Sequence, residues 1–344
     1  MIRLRHASAV SNLEGGHYWV PPGEDPASTY RDTPAQTQRD IIAQIEAGTP
    51  WREAVARHYQ ATAPWLYRIV TDPSRDLFFR QYPVAAGSTI LDIGAGWGQI
   101  SLPLARENMV VALEPTPERL AFIRAVAGQE KLARRLICIQ SDFLDVEFEP
   151  VFDLVCCIGV LEWVPKFRPG RPRDLQRAFL ARIRAALKPG GALVVGIENR
   201  LGLKYLLGSS DDHIGSPNIA VLDATLADRR FREATGTDLR SYTYTLAEYT
   251  ELFVEAGFTQ LRAYAAFPDY KVPEFIRPAD EGLENELAQG RVLPEEHDGS
   301  NGSRLAPVLQ EALRSHYRSL AQNRISRYFA PSYFLVAKGG EARQ

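Results

Sequence analysis

From Thr89 onward short β-rich runs alternate with helical stretches, which predicts an α/β fold with a mostly parallel, seven-stranded sheet and helices on both faces. Three observations carry this. The runs are almost continuously apolar, as strands buried on both faces are. The stretches between them, around 99–107, 117–128 and 174–187, have helical length and pattern. The first run also leads through a glycine-rich loop into a helix, the usual start of such a crossover.

Taken in order, residues 1–33 are Gly- and Pro-rich and read as an irregular arm. Pro34 to about Tyr82 is helical, with Thr49-Pro50 and Asp72-Pro73 each placing a capping side chain before a proline at a helix start. The strand runs are TILDIG, MVVALE, RLICIQ, FDLVCCIG and ALVVGIE. The alternation pauses after Glu198, resumes near Tyr244 with the helix TLAEYTELFVEAGF (closed by Gly257) and the strand TQLRAYAAF, and pauses again over about 269–327. SYFLVAKG is the last strand. This divides the chain into an arm and helical lid (1–82), a core (83–268) with an insertion at 199–244, a cap (269–330) and a final strand with its tail (331–344).

The 344 residues are 45% hydrophobic and 24% charged, which is globular composition rather than disorder. A formal charge of -2 weakens nonspecific nucleic-acid or anionic-membrane binding. Cys138, Cys156 and Cys157 lack metal-site spacing, and the adjacent Cys156 and Cys157 read as small core residues. The N-terminus has no apolar signal-peptide stretch. The longest apolar run, Phe152 to Val164, is broken by Asp153 and Glu162 and falls short of the ~20 residues a membrane helix needs. We therefore expect a soluble cytoplasmic protein without an integral membrane segment; oligomeric state stays open.

The sharpest motif is Leu91-Asp92-Ile93-Gly94-Ala95-Gly96-Trp97-Gly98. Glycines there let backbone approach a cofactor while the following helix offers free N–H groups. Glu114, at the end of the second strand, can accept both hydroxyls of an adenosine ribose. A dinucleotide loop would carry a third small residue at position 99, where this chain has Gln. Asp92 would also repel a pyrophosphate, whereas it suits a cationic ligand such as S-adenosylmethionine, with its sulfonium and ammonium.

ILDIGAGWG resembles motif I of class I S-adenosylmethionine-dependent methyltransferases. The resemblance spans about 84–268 and 332–338 and implies the Rossmann-like fold and cofactor of that family. It implies cofactor contacts from Asp92, Gly94, Ala95 and Gly96, from Glu114 and Pro115, and from Asp142 and Phe143 at the adenine. It further implies one from Gly159 beside the methionine moiety, and the -LKPGG- at 187–191 is similar to the family's turn into the fifth strand. IGVLEWV, IENRLGLKYLLGSSDDHIG and FPDYKVPEF are similar to bacterial methyltransferases associated with lipopolysaccharide, surface-glycan or natural-product pathways.

Leu161-Glu162-Trp163-Val164-Pro165 lacks the double proline of DNA amino-methyltransferases. The basic stretch after it would repel the guanidinium that protein arginine methyltransferases clamp. A small-molecule or glycan acceptor is preferred, with no nucleic acid.

Methyl transfer from a sulfonium is an in-line displacement, so the protein must align the reactants and, for some acceptors, remove a proton. Candidates on the loops are Glu162 and Trp163, Glu198 and Asn199, and Asp211-Asp212-His213. His213 is the preferred general base, oriented by the two adjacent carboxylates; SSDDHIG also reads as a solvated turn. Glu162 is the second catalytic candidate, or a group that only orders the loop. Adjacent carboxylates alone do not make an oxygen cage, so no metal is expected. His17, Tyr18 and Trp19 could close as a lid or pack on the surface; Lys166 to Arg173 could receive a phosphate or be a solvated loop. Tyr242 and Tyr244 could stack on a ring or pack. Two further readings remain open: a rearranging rather than methylating use of S-adenosylmethionine, and a non-catalytic partner subunit.

Overall fold

The computed structural model describes residues 2–6, 9–13, 16–19, 33–296 and 305–339. It divides into two compact units, one of Met1–Val160, Ala178–Val194 and Lys338–Gln344, the other of Leu161–Arg177 and Val195–Ala337. These divisions fall elsewhere than the sequence-based boundaries near residues 82 and 268.

The strands are β1 (Ile2–His6), β2 (Ala9–Leu13), β3 (Gly16–Trp19), β4 (Thr89–Ile93), β5 (Met109–Leu113) and β6 (Leu136–Gln140). They continue with β7 (Glu147–Phe148), β8 (Phe152–Ile158), β9 (Leu187–Glu198), β10 (Phe258–Phe267), β11 (Phe275–Pro278) and β12 (Ser332–Gly339). All seven expected strands are present.

In the first unit the order is β8-β4-β5-β6-β3. Neighbouring strands run parallel, with Asp92 opposite Ala112 on one side and Cys156 on the other. Apolar runs form these strands because both faces are covered: Leu91, Val111, Ile139 and Val155 are fully buried, as are Cys156 and Cys157. Burial pushes the Cys138 thiol up to about 12, which suits a structural rather than reactive cysteine.

The N-terminal residues depart from the expected irregular arm. β1 pairs antiparallel with β2 and with β7, burying Ile2, Leu4 and Leu13, and β3 adds a parallel edge beside β6. His17 and Tyr18 therefore lie on a sheet edge; the side chain of Trp19 and residues 20–32 lie outside the described residues.

Three helices follow, Ala35–Glu46, Trp51–Tyr59 and Pro64–Thr71. Asp72 caps the next turn by accepting from Ser74 N–H at 2.8 Å, as its position before Pro73 predicts. At the other expected start Pro50 is itself the cap, without a side-chain bond from Thr49. Trp51 donates to Glu130 at 2.7 Å and meets Phe122 edge-on, while Tyr59 meets Trp97 of the glycine loop. The helical segment thus rests on the loop the sequence singled out.

In the second unit the order is β11-β10-β12-β9, with β10 and β11 antiparallel. The helix Leu246–Glu255 starts with a capping box between Thr245 and Glu248. The stretches the sequence left as pauses contain helices at Ala224–Thr235, Glu281–Ala288 and Pro307–Gln322. No helix among the described residues is long and apolar enough to cross a membrane.

Candidate active site

The first unit carries the glycine loop. Gly94, Gly96 and Gly98 have φ of 67°, 55° and 79°, the left-handed region that glycine adopts without strain. A side chain at Gly94 would overlap Val160 Cγ2. Gly94 N–H and Ala95 N–H both donate to Leu113 O, at 2.8 and 3.1 Å, which ties the loop to the end of β5. Trp97 is buried against Phe122 at a centroid distance of 4.9 Å, anchoring the loop from below.

Two carboxylates flank this loop. Glu114 Oε2 accepts from Gly96 N–H and Oε1 from Thr116 N–H, each at 3.0 Å. Asp92 Oδ2 accepts from Ser101 Oγ at 2.6 Å. Burial pushes the Asp92 carboxyl up to about 7; the Ser101 hydrogen bond opposes this and the Glu114 charge adds to it. An anion held so reluctantly is a natural partner for a cationic ligand.

Asp142 Oδ1 caps its turn by accepting from Leu144 N–H at 2.7 Å. Phe143 is buried, its ring 5.1 Å from Phe179, so its side chain is spent on the core. Pro115 is half-buried and Gly159 has φ of 72° at the end of β8. The donor set fits S-adenosylmethionine. Glycine backbone permits close approach, and a carboxylate has about four acceptor positions, of which Glu114 uses two on the backbone.

The second unit carries a buried charge cluster. His213 Nε2 lies 3.3 Å from Glu198 Oε2 and 3.5 Å from Glu162 Oε1, and Nδ1 lies 3.6 Å from Asp211 Oδ1. The His213 side chain is 5% exposed, which removes the solvated-turn reading. Asp211 holds the loop by accepting from His213 N–H at 2.8 Å and Ile214 N–H at 3.1 Å. Trp163 meets the imidazole edge-on, and Lys166 Nζ lies over the Trp163 ring, 4.4 Å from its centroid.

Asp212 does not help orient His213, contrary to the sequence reading. It accepts from Lys204 Nζ and Tyr205 Oη, both at 3.0 Å, and from Lys271 Nζ at 3.2 Å. Lys271 also bonds Glu198 and Asp269. One aspartate of the turn thus serves the histidine and the next serves the lysines.

Burial alone would lower the His213 pKa, but Glu198, Asp211 and Glu162 overcome it and hold the imidazole well above its ordinary value. Burial would raise Glu198, and Lys271 with His213 brings it well below. Glu162 goes the other way: burial raises it, and neither oxygen has a hydrogen-bond partner among the described residues.

Lys204, Tyr205, Asp269 and Lys271 were missed as site residues, although the motifs containing them were noticed. A usable signal was present, since Lys occurs only six times in this Arg-rich chain, and here one of the six is buried and a second half-buried. The other candidates are occupied locally. Arg171 pairs with Asp174 and Arg173 with Glu255, at 2.7 and 2.9 Å. Tyr244 is buried and donates to Gln176 at 2.7 Å, while Tyr242 lines a small cavity with Arg200 and Leu239.

Comparison with known proteins agrees with the loop. A family model described as a methyltransferase domain matches residues 91–195. The chain is 32% identical over 131 residues to the mitochondrial ubiquinone biosynthesis O-methyltransferase of Schizosaccharomyces pombe, covering 38% of this chain and 44% of that protein. It is 27% identical over 120 residues to the ubiquinone biosynthesis O-methyltransferase of Rickettsia akari, covering 35% and 43%. The chain thus spans less than half the length of these curated relatives. Among solved structures, phosphoethanolamine N-methyltransferase 2 of Haemonchus contortus with bound S-adenosyl-L-methionine has a TM-score of 0.46 at 16% identity, covering 88% of this chain and 60% of that one. These observations define a Rossmann-like α/β chain whose residues 91–195 match a methyltransferase-domain model.

Proposed function

We propose that the chain is an S-adenosylmethionine-dependent methyltransferase acting on an oxygen of a small metabolite or glycan intermediate. The observation that carries this reading is the Asp92–Gly96–Glu114 arrangement. One carboxylate is buried and poorly solvated, another is fixed by glycine-loop backbone, and the turn between strand and helix is built on left-handed glycines. Oxygen is favoured as the acceptor atom because the named relatives are O-methyltransferases.

The cofactor supplies an already activated methyl group. The chain's part is to bind it through the first unit and to handle the acceptor's proton. We assign the latter to Glu162; His213, the base expected from the sequence, is held as the imidazolium by Glu198 and Asp211 and positions that carboxylate instead. A small acceptor agrees with the near-neutral chain charge and with the pairing of Arg171 and Arg173, which leaves little to attract a polyanion.

Calorimetry with S-adenosylmethionine and S-adenosylhomocysteine tests the reading. Saturable one-to-one binding, lost on Asp92→Ala and on Glu114→Arg in folded protein, is expected. Well-folded wild-type chain that binds neither would end it. Mass spectrometry of turnover with a panel of hydroxylated acceptors then separates a methylated product from a rearranged one.

A further inference from the structure

We propose that Glu162, Glu198 and His213 form a divalent metal site in the second unit, with Asp211 as the group that orients the histidine. The carboxylate oxygens and the imidazole nitrogen of these three residues lie within 4.8 Å of one another. Nε2 is 3.5 Å from Glu162 and 3.3 Å from Glu198. Donors about 2.1 Å from a common ion in tetrahedral array stand roughly 3.4 Å apart, so little movement is needed to close on one.

Two further observations point to a cation. Glu162 is fully buried, yet neither of its oxygens accepts a hydrogen bond among the described residues, and one oxygen of Glu198 is in the same condition. A buried carboxylate without partners is costly unless something positive meets it. The adjoining acidic group of Glu198, Asp212 and Asp269 shows the contrast, because the Lys271 ammonium already bridges all three. Among the described residues the charged partner of Glu162 is the imidazole at 3.5 Å, not an ammonium. The second observation is Asp211 at 3.6 Å from Nδ1, since ligating histidines commonly turn their other ring nitrogen toward a carboxylate.

One nitrogen and two carboxylates suit Mn²⁺ or Zn²⁺. Binding displaces the imidazolium proton to solvent, so Nε2 serves as ligand rather than base. Three protein ligands leave a position for an oxygen of the acceptor, whose proton the ion would acidify. The site itself stands on the cluster's geometry; only its service to the acceptor rests on the methyl-transfer reading.

The test uses the full chain after dialysis against chelator, titrated with Mn²⁺ and followed by loss of the free-ion electron paramagnetic resonance signal, with Zn²⁺ as competitor. One Mn²⁺ per chain is expected, displaced by Zn²⁺, with affinity weakened at least tenfold in Glu162→Gln and His213→Gln. Pulsed resonance on the wild-type complex should show coupling to a single imidazole nitrogen, a readout that needs no variant to fold. Absence of saturable uptake, absence of nitrogen coupling, or uptake unchanged in both variants would overturn the site. Calorimetry with S-adenosylmethionine on the same samples keeps the two readings apart. Metal uptake without cofactor binding refutes the methyl-transfer reading, and cofactor binding without metal uptake refutes the ion.

Discussion

Glu114 accepts the backbone N–H of Gly96 at 3.0 Å and, with its other oxygen, that of Thr116 at 3.0 Å. One buried carboxylate therefore fixes both the glycine loop and its own turn. Hydrogen bonds to a charged acceptor contribute about 1.5–3 kcal/mol each, and the orphaned N–H groups add their own cost. Glu114→Ala should destabilise the chain by roughly 2–4 kcal/mol in urea unfolding. It should also weaken S-adenosylmethionine by more than tenfold in calorimetry. Unchanged affinity in the folded variant would remove Glu114 from the cofactor site.

Asp92 gives a pH dependence with a definite sign. Its folded pKa of about 7 lies above that of an unfolded aspartate, about 3.9, so between those values the native chain keeps a proton that the unfolded chain releases. Stability from this group is full below about pH 4 and is lost as pH rises through about 7. A cationic cofactor favours the ionised form, so its binding should release a proton and tighten from about pH 5.5 to 7. Calorimetry in buffers of different ionisation enthalpy measures that proton. Asp92→Asn should abolish the release and flatten the stability slope; a release that persists in the variant belongs to another group.

The glycines of the loop are not equivalent. A methyl group at position 94 meets Val160 and also sits at φ 67°, whereas at position 96 the nearest atom is Gln99 Oε1, 3.7 Å away. Gly94→Ala should cost about 2–4 kcal/mol, combining backbone strain and overpacking, and Gly96→Ala about 1–2 kcal/mol from strain alone. Both should impair cofactor binding. Chemical unfolding of the two variants decides, and equal losses would mean that Val160 gives way.

What was legible in the sequence was local. The strands from β4 to β8 announce themselves because two-sided burial demands continuous apolar runs, and the glycine loop because its backbone demands glycine. β1 and β3 were hidden in a Gly- and Pro-rich arm, since their partners β7 and β6 lie more than a hundred residues away, while β2 was missed although it pairs locally with β1. The LKPGG stretch reads as a turn yet belongs to β9; Gly191 is accommodated there because a side chain would stand 2.9 Å from Phe152 O. In the site, His213 and Glu162 were found as loop residues beyond strands. Lys271 was not, because its value lies in Glu198, 73 positions earlier, and no local pattern records such a pairing.

Lys271 is the cation shared by three buried carboxylates, Glu198, Asp212 and Asp269, of which Asp212 also pairs with Lys204. Removing one partner from a buried ionic group leaves uncompensated charge, and Lys271→Met should destabilise by about 3–5 kcal/mol. Asp269→Asn in the same chain removes one of the stranded charges and should recover part of the loss. Urea unfolding of the single and double variants forms the cycle. Strict additivity would show that the two residues are not coupled as their 3.3 Å contact implies.

Glu162 invites the opposite expectation. Three carboxylates, Glu162, Glu198 and Asp211, surround a single imidazole, and Glu162 is the one without hydrogen bonds. Its burial is a cost the fold carries, while Glu198 and Asp211 suffice to hold His213. A buried charge without hydrogen bonds carries a desolvation penalty of several kcal/mol, which an apolar side chain of similar volume removes. Glu162→Met should therefore raise the melting temperature by several degrees in metal-free buffer. Handling of the acceptor's proton contributes about 10²–10⁴ in rate, so the variant should lose most of its turnover while S-adenosylmethionine affinity stays within about twofold. A stabilised, cofactor-binding, inactive variant marks a residue kept for chemistry. A variant that melts earlier and turns over normally would make Glu162 a structural partner of His213 instead.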